Sequence, residues 1–316
     1  MKCKESIYRF IFSGGGTGGH LFPAVAVAEK VHQMKPESDI LFIGTRNKLD
    51  SEIIPGLGFK YKSLWVSGFL RKFTVKNFLF PVKLLISIIQ SLYANIKFKP
   101  RVTVASGSYV AGPVVWGASI MGSKIVLLEQ NSYPGITNRL LEKKADEIYI
   151  SFKESQKYFR QKSKLVFTGN PIRINLKLFN KNKALESFNL NNQRKTILVL
   201  GGSQGADSIN QAVKNALNSL VKKDIQVIWQ TGKKYFDQYT SCNDDFVKVF
   251  SFIQNMSAAY SACDLVVARS GATTISEVSN LGVPAIFIPS PNVAADHQFK
   301  NACSIEELGG GSCNKG

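Results

Sequence analysis

Residues Phe12 to His20, FSGGGTGGH, place five glycines and a histidine directly behind the apolar run 7–12. Gly14, Gly16 and Gly19 satisfy the G-x-G-x-x-G spacing, which turns a strand tightly into a helix and brings backbone N–H groups and a helix N-terminus against a phosphate. A dinucleotide fold of this type needs an acidic residue at the end of the next strand to hold a ribose hydroxyl. The candidate strand 39–44 ends in Gly44-Thr45-Arg46, and Asp39 stands at its start. No Gly-Lys-Ser or Gly-Lys-Thr follows the glycines, which excludes Walker A chemistry. The loop faces a phosphate, and its bearer stays open.

A chain of 316 residues, 44% hydrophobic, can form two cores, since single domains usually hold about 100 to 200 residues. Forty Lys and Arg against 22 Asp and Glu give a net charge of +18, a field that favours nucleic acid, anionic headgroups or phosphorylated substrates. No Asp or Glu occurs from Ile53 to Leu128, where Lys60, Lys62, Lys83, Lys97 and Arg101 are among the cations. Five cysteines without a C-x-x-C pair argue against a disulfide framework and a zinc site, and fit a reducing compartment. The N-terminus runs straight into the glycine loop and reads as a first strand rather than a targeting segment. The apolar stretch 78–96 is broken by Pro81, Lys83, Gln90 and Asn95; it reads as an amphipathic helix, partly core and partly membrane-facing, not as a span.

Short apolar runs alternate with helical patterns, the signature of βαβ units around parallel sheets. Strands are expected at 7–12, 40–43, 102–105 and 125–128, with helices at 21–34, 82–93, 111–121 and 136–141. The pattern restarts at Thr196, where an apolar run meets a second glycine loop, Gly201 to Ala206, and a helix from about Ser208. Strands follow at 226–229, 247–249, 265–268 and 285–288. The expected fold is α/β, with two Rossmann-like doubly wound domains facing across a cleft: residues 1–174, a polar linker 175–194, and residues 195–316. Ligands of such sheets bind beyond the carboxyl ends of the strands. The segments Gly107 to Gly112, Glu129 to Asn131, Thr168 to Arg173 and Ala268 to Glu277 all fall there. Ser270 to Thr274 offers N–H and hydroxyl donors to a diphosphate, and Glu277 can accept from a ribose diol. Trp229 reads as core, and Arg269 as either a phosphate contact or a partner of a nearby carboxylate.

GGGTGGH, GSYVAGP, EQNSYPGITN, TGNPIR, LGGSQGA, FIQNMSAAY, RSGATTISE and AADHQFKNA, in that order from about residue 10 to residue 302, resemble the MurG-type family of inverting GT-B glycosyltransferases. The resemblance implies transfer of N-acetylglucosamine from UDP-N-acetylglucosamine to undecaprenyl-linked muramoyl-pentapeptide in peptidoglycan synthesis. It also implies no cofactor, no metal, and work at the cytoplasmic face of the membrane. The donor site it implies comprises Ile253 at uracil, Glu277 at ribose, and Ser203 with Ala272, Thr273, Thr274, Ile275 and Ser276 at the diphosphate. Gln298 would hold sugar hydroxyls, and Thr17, Gly18, Gly19, Asn131 and Arg173 would complete the set. His20 suits the base that takes a proton from the acceptor's 4-hydroxyl; the competing reading makes it a residue that only donates to substrate or backbone. Tyr109 is assigned to the acceptor side. Phe69, Leu70 and Phe73, interleaved with Arg71, Lys72 and Lys76, form the expected face toward an anionic membrane.

The family pattern carries one more strand and further helices beyond AADHQFKNA, about thirty to forty residues, so the second domain is expected to be incomplete. Competing readings are a GT-B transferase for another lipid acceptor and a non-catalytic nucleotide-sugar-binding remnant. Nucleic-acid binding explains the charge but not the two glycine loops.

Overall fold

Arg9–Ser13 forms the first strand, β1, because Ile11 and Phe12 bury opposite faces of a central strand. The computed structural model describes residues 8–68, 79–202, 204–291 and 296–307, and the chain divides into two units, Met1–Ile174 and Asn175–Gly316.

In the first unit β1 leads through α1 (Gly18–Met34), β2 (Asp39–Thr45), α2 (Leu49–Gly56), β3 (Lys60–Leu64), α3 (Phe80–Phe98), β4 (Val102–Ala105), α4 (Ser108–Ile120), β5 (Lys124–Glu129), α5 (Ile136–Leu141), β6 (Glu147–Ile150) and β7 (Leu165–Phe167). The seven strands make one sheet in the order β3-β2-β1-β4-β5-β6-β7, with every pairing parallel. Chain order reverses between β1 and β4, where a doubly wound sheet opens its crevice. Phe12 stacks on Phe42 at 5.3 Å and meets Leu21, Ala24, Val25 and Ala28 of α1 on one face of the sheet. Ile11, Ile43, Val110 and Val114 pack on the other.

The second unit runs α6 (Lys181–Glu186), β8 (Lys195–Leu200), α7 (Asp207–Lys222), β9 (Ile225–Gln230), α8 (Phe236–Tyr239), β10 (Val247–Phe250), α9 (Met256–Ala262), β11 (Leu265–Ala268), α10 (Ala272–Leu281), β12 (Ala285–Phe287) and α11 (His297–Glu306). Its parallel sheet has the order β10-β9-β8-β11-β12, reversing between β8 and β11. Trp229 is fully buried on β9 and donates from Nε1 to Asn210 Oδ1 at 3.0 Å, as a core residue rather than a substrate platform.

Residues 175–194, expected as a linker, pack within the second unit instead. Leu176, Ala184, Leu185, Phe188 and Leu190 join its core, and Asn180 caps α6 by accepting from Lys183 N at 3.1 Å. Their polarity is that of an amphipathic surface element that turns these five apolar side chains inward and leaves Leu178 and Phe179 exposed.

The helix α3 has its large apolar side chains on the outside. It buries Ser87, Ser91, Ala94 and Asn95, and leaves Val82, Leu85, Ile89, Tyr93 and Ile96 exposed. The small inner residues allow close packing on α4: a Cβ on Gly117 would lie 3.1 Å from both Ser91 Oγ and Asn95 Nδ2. Among the described residues no helix is long and apolar enough to cross a membrane.

Candidate active site

Most helices of both units start without a side-chain cap, those at the carboxyl ends of the central strands among them. The first residues of α1, α4, α7 and α10 follow Thr17, Gly107, Ala206 and Gly271, none of which makes a side-chain cap, whereas α6 and α9 are capped by Asn180 and Asn255. Uncapped N-termini leave N–H donors for a ligand or water.

In the first unit Thr17 precedes α1 and is exposed, Gly18 is buried, and Gly19 is exposed. His20 is half-buried, with Nδ1 2.7 Å from Ser106 O and 3.2 Å from Gln130 Oε1. Both partners are oxygens that only accept, so Nδ1 carries a proton, and in the neutral ring the lone pair is then on Nε2, the tautomer a general base requires. Gln130 is itself held by donation from Nε2 to Leu128 O at 3.1 Å. Ser106 Oγ donates to His20 O, tying the loop after β4 to the start of α1.

Asn131 is oriented by a buried carboxylate. Glu129, at the end of β5, accepts from Asn131 N at 3.0 Å, Gly135 N at 3.0 Å and Asn138 Nδ2 at 2.9 Å. Tyr109 lies in the first turn of α4, not in a loop, and a Cβ on Gly16 would stand 3.6 Å from its hydroxyl. Burial, and then the charge of Asp50, push the Tyr109 phenol up, so it stays a proton donor. Arg173 stacks on Phe22 of α1 at 5.1 Å, and lies beside Glu29, whose carboxyl burial raises and Arg173 lowers.

In the second unit Glu277 is 3% exposed inside α10 and accepts from Tyr260 OH at 2.9 Å. Ala272 and Ile275 are buried in the same helix, with Thr273, Thr274 and Ser276 half-buried. Two buried hydroxyls at this helix start, Ser270 Oγ and Thr273 Oγ1, have no hydrogen-bond partner, a cost of about 1–3 kcal/mol each that a polar ligand removes. Asn301 of α11 supports the turn by donating to Ser270 O at 3.3 Å, and Gln298 accepts from Ser290 N at 2.9 Å. The Ile253 amide donates to Gln230 Oε1 at 2.8 Å, so contact to a base through that N–H requires Gln230 to turn away. Arg269 makes no ion pair with a carboxylate among the described residues; its guanidinium donates to Ile288 O, Pro289 O and Ser208 Oγ, clamping β12 and α7 to the end of β11.

Ser203, Phe69, Leu70, Arg71, Lys72, Phe73 and Lys76 lie outside the described residues. Among the described residues no group of three or more His, Cys, Asp or Glu side chains is placed to hold a metal ion. Sequence reasoning missed Asp50 and Ser106, and quoted Glu129 and Gln130 without their roles. Ser270 was expected as a diphosphate donor from its place in the SGATT turn.

Two doubly wound units, each opening on a glycine loop, with uncapped helices at the switch points, define a nucleotide-sugar transferase of the GT-B class. Residues 10–150 match the glycosyltransferase family 28 N-terminal domain, and residues 196–315 its C-terminal domain. The chain belongs to glycosyltransferase family 28, among the MurG-type enzymes. It is 44% identical over 301 residues to the UDP-N-acetylglucosamine–N-acetylmuramyl-(pentapeptide) pyrophosphoryl-undecaprenol N-acetylglucosamine transferase of Flavobacterium psychrophilum, covering 94% of this chain and 82% of the relative. The protein of the same name from Bacteroides thetaiotaomicron is 42% identical, covering 95% and 83%. The crystal structure of Acinetobacter baumannii MurG superposes with a TM-score of 0.68 at 26% identity, over 96% of this chain and 84% of that one.

Proposed function

We propose that the chain transfers N-acetylglucosamine from UDP-N-acetylglucosamine to the 4-hydroxyl of the muramoyl-pentapeptide carried on pyrophosphoryl-undecaprenol, with inversion at the anomeric carbon. The observation that carries this reading is the 44% identity, across 94% of the chain, to a transferase of that printed name. His20 Nε2 takes the proton of the acceptor hydroxyl as its oxygen attacks the anomeric carbon. The carbon–oxygen bond to the diphosphate breaks, and UDP leaves with the electron pair. Thr17, Gly18 and Gly19 present amides at the start of α1, Asn131 and Arg173 complete that side, and Tyr109 contacts the acceptor. In the second unit Ser270, Ala272 to Ser276 and Ser203 face the diphosphate, where fixed donors stabilise the developing charge. Glu277 accepts from the ribose diol, Ile253 addresses uracil, and Gln298 holds sugar hydroxyls.

A lipid-borne acceptor requires work at a membrane surface, and α3 is suited to it. Exposed Leu85, Ile89 and Tyr93 enter the headgroup boundary, while Lys62 and Lys83, held over the rings of Tyr93 and Trp65 at 4.8 and 5.6 Å, meet anionic lipid of the cytoplasmic leaflet.

The test is UDP release with and without the lipid acceptor. His20→Ala is expected to lower kcat by about 100-fold or more and to leave UDP affinity unchanged. Equal losses in turnover and UDP binding make His20 a binding residue; no acceptor-dependent release from the unaltered protein removes the assigned reaction.

A further inference from the structure

Asp50 is 1% exposed and makes no ion pair among the described residues. Four donors fill its oxygens: Gly16 N at 3.1 Å and Thr45 Oγ1 at 2.8 Å on Oδ1, Thr45 N at 2.5 Å and Tyr61 OH at 2.8 Å on Oδ2, the Tyr61 proton being shared with Thr45 O at 2.5 Å. A buried carboxylate balanced only by neutral donors is costly, and is retained where its hydrogen bonds fix a structure. Those bonds join the glycine loop after β1, the end of β2 and the start of β3.

The glycines around it are spaced for the carboxylate. A Cβ on Gly15 would come within 2.4 Å of Asp50 Oδ2, and one on Gly44 within 2.2 Å. Gly16 has φ +83°, the left-handed region, with its amide turned inward to Asp50. That amide is therefore withheld from any ligand, and the outward donors of the loop are those at the start of α1. An anionic ligand gains nothing from a carboxylate behind the loop, so electrostatic attraction does not explain Asp50; geometry does.

We propose that Asp50 is the positioning residue of the first glycine loop, locking Gly16 so that the N-terminus of α1 and His20 are presented in one fixed register to the acceptor. The acceptor part of this inference rests on the function proposed above; the locking of Gly16 does not. Asp50→Asn offers an amide nitrogen where a second acceptor is needed, leaving donors unmatched. It is expected to lower kcat/KM for the lipid acceptor about tenfold or more, as a displaced reacting geometry does, while UDP affinity falls by a smaller factor. Tyr61→Phe removes one donor from Oδ2 without touching the loop, and is expected to lower the same kcat/KM by a smaller factor, about threefold. Hydrogen exchange on protein labelled with 15N-glycine gives a readout without substrate: the Gly16 amide is protected in the unaltered chain and exchanges about tenfold faster or more in the Asp50→Asn protein. Equal Gly16 exchange in the two proteins overturns the proposal. So does a fall in melting temperature with unmoved kcat/KM for the acceptor in both variants, the outcome of a merely structural carboxylate. If the unaltered protein shows no transfer while Gly16 is protected and then released, the assigned reaction fails and the lock stands.

Discussion

Glu277 shows what a buried charged residue in this chain is held by and what its loss exposes. The sequence leaves open a solvated helix residue, and 3% exposure excludes that. Glu277→Ala is expected to weaken UDP binding by about 1–3 kcal/mol, the usual cost of removing a charged hydrogen-bond partner. The same change strips Tyr260 OH of its 2.9 Å acceptor, so the control is Tyr260→Phe, which keeps the carboxylate and is expected to weaken UDP less. Calorimetry on both decides: unchanged affinity in Glu277→Ala takes the residue out of the site. Glu277 and His20 stood out in the sequence as candidates because each is attached to a local glycine-headed motif. Asp50 and Gln130 did not, because their meaning lies in contacts 34 and 110 residues away along the chain, to Gly16 and His20.

Buried central strands announce themselves as continuous apolar runs, which is why β1, β2, β4, β5, β8, β9 and β11 were readable; β10 and β12, the edges of the second sheet, were readable as well from their short apolar runs. The elements the sequence concealed are peripheral: β3 (KYKSL) is an edge strand, β7 has three residues at the other edge, β6 is its short neighbour, and α2 is eight residues long with an internal Pro55. The helix α6 was concealed by its polarity, and its attachment is electrostatic as well as apolar. Asp264, at the start of β11, pairs with Lys181 of α6 at 2.7 Å and Lys195 of β8 at 3.1 Å, and accepts from Thr196 N at 2.9 Å. Burial raises the Asp264 carboxyl, and the bonds from Lys181, Thr196 and Lys195 outweigh it, so the net shift is downward. A carboxyl lowered in the folded state stabilises fully above its unfolded value, near 3.9, and loses that contribution as pH falls through the folded value. The stability gap between unaltered protein and Asp264→Asn, from urea melts, is therefore expected to be constant from pH 7 to about pH 5 and to close below about pH 4. A gap that persists undiminished at pH 2 rules out the charged form as the source.

At the scale of the whole molecule the charge is +18, and the carboxylate-free window from Ile53 to Leu128 concentrates part of it in the first unit. The same window contains α3, whose outward face carries exposed Leu85, Ile89 and Tyr93, so the membrane contact proposed above would draw attraction and insertion from one surface. The two contributions respond differently to salt. Coulomb attraction fades as the Debye length drops to about 3 Å at 1 M salt, whereas burial of apolar side chains does not weaken. Co-sedimentation with anionic vesicles is therefore expected to fall sharply, but not to zero, between 0.1 M and 1 M salt, in roughly the range where the Debye length shortens threefold. Leu85→Glu with Ile89→Glu alters two side chains that are 61% and 59% exposed, which should change stability by no more than about 0.5 kcal/mol each. That pair is expected to abolish the salt-resistant fraction and to leave UDP affinity intact. Lys62→Glu with Lys83→Glu should do the reverse, removing the salt-sensitive fraction and sparing the rest. If the Leu85 and Ile89 variant sediments at 1 M salt as the unaltered protein does, the lipid-facing surface is not α3, because its outward apolar side chains would then be making no contact with the bilayer.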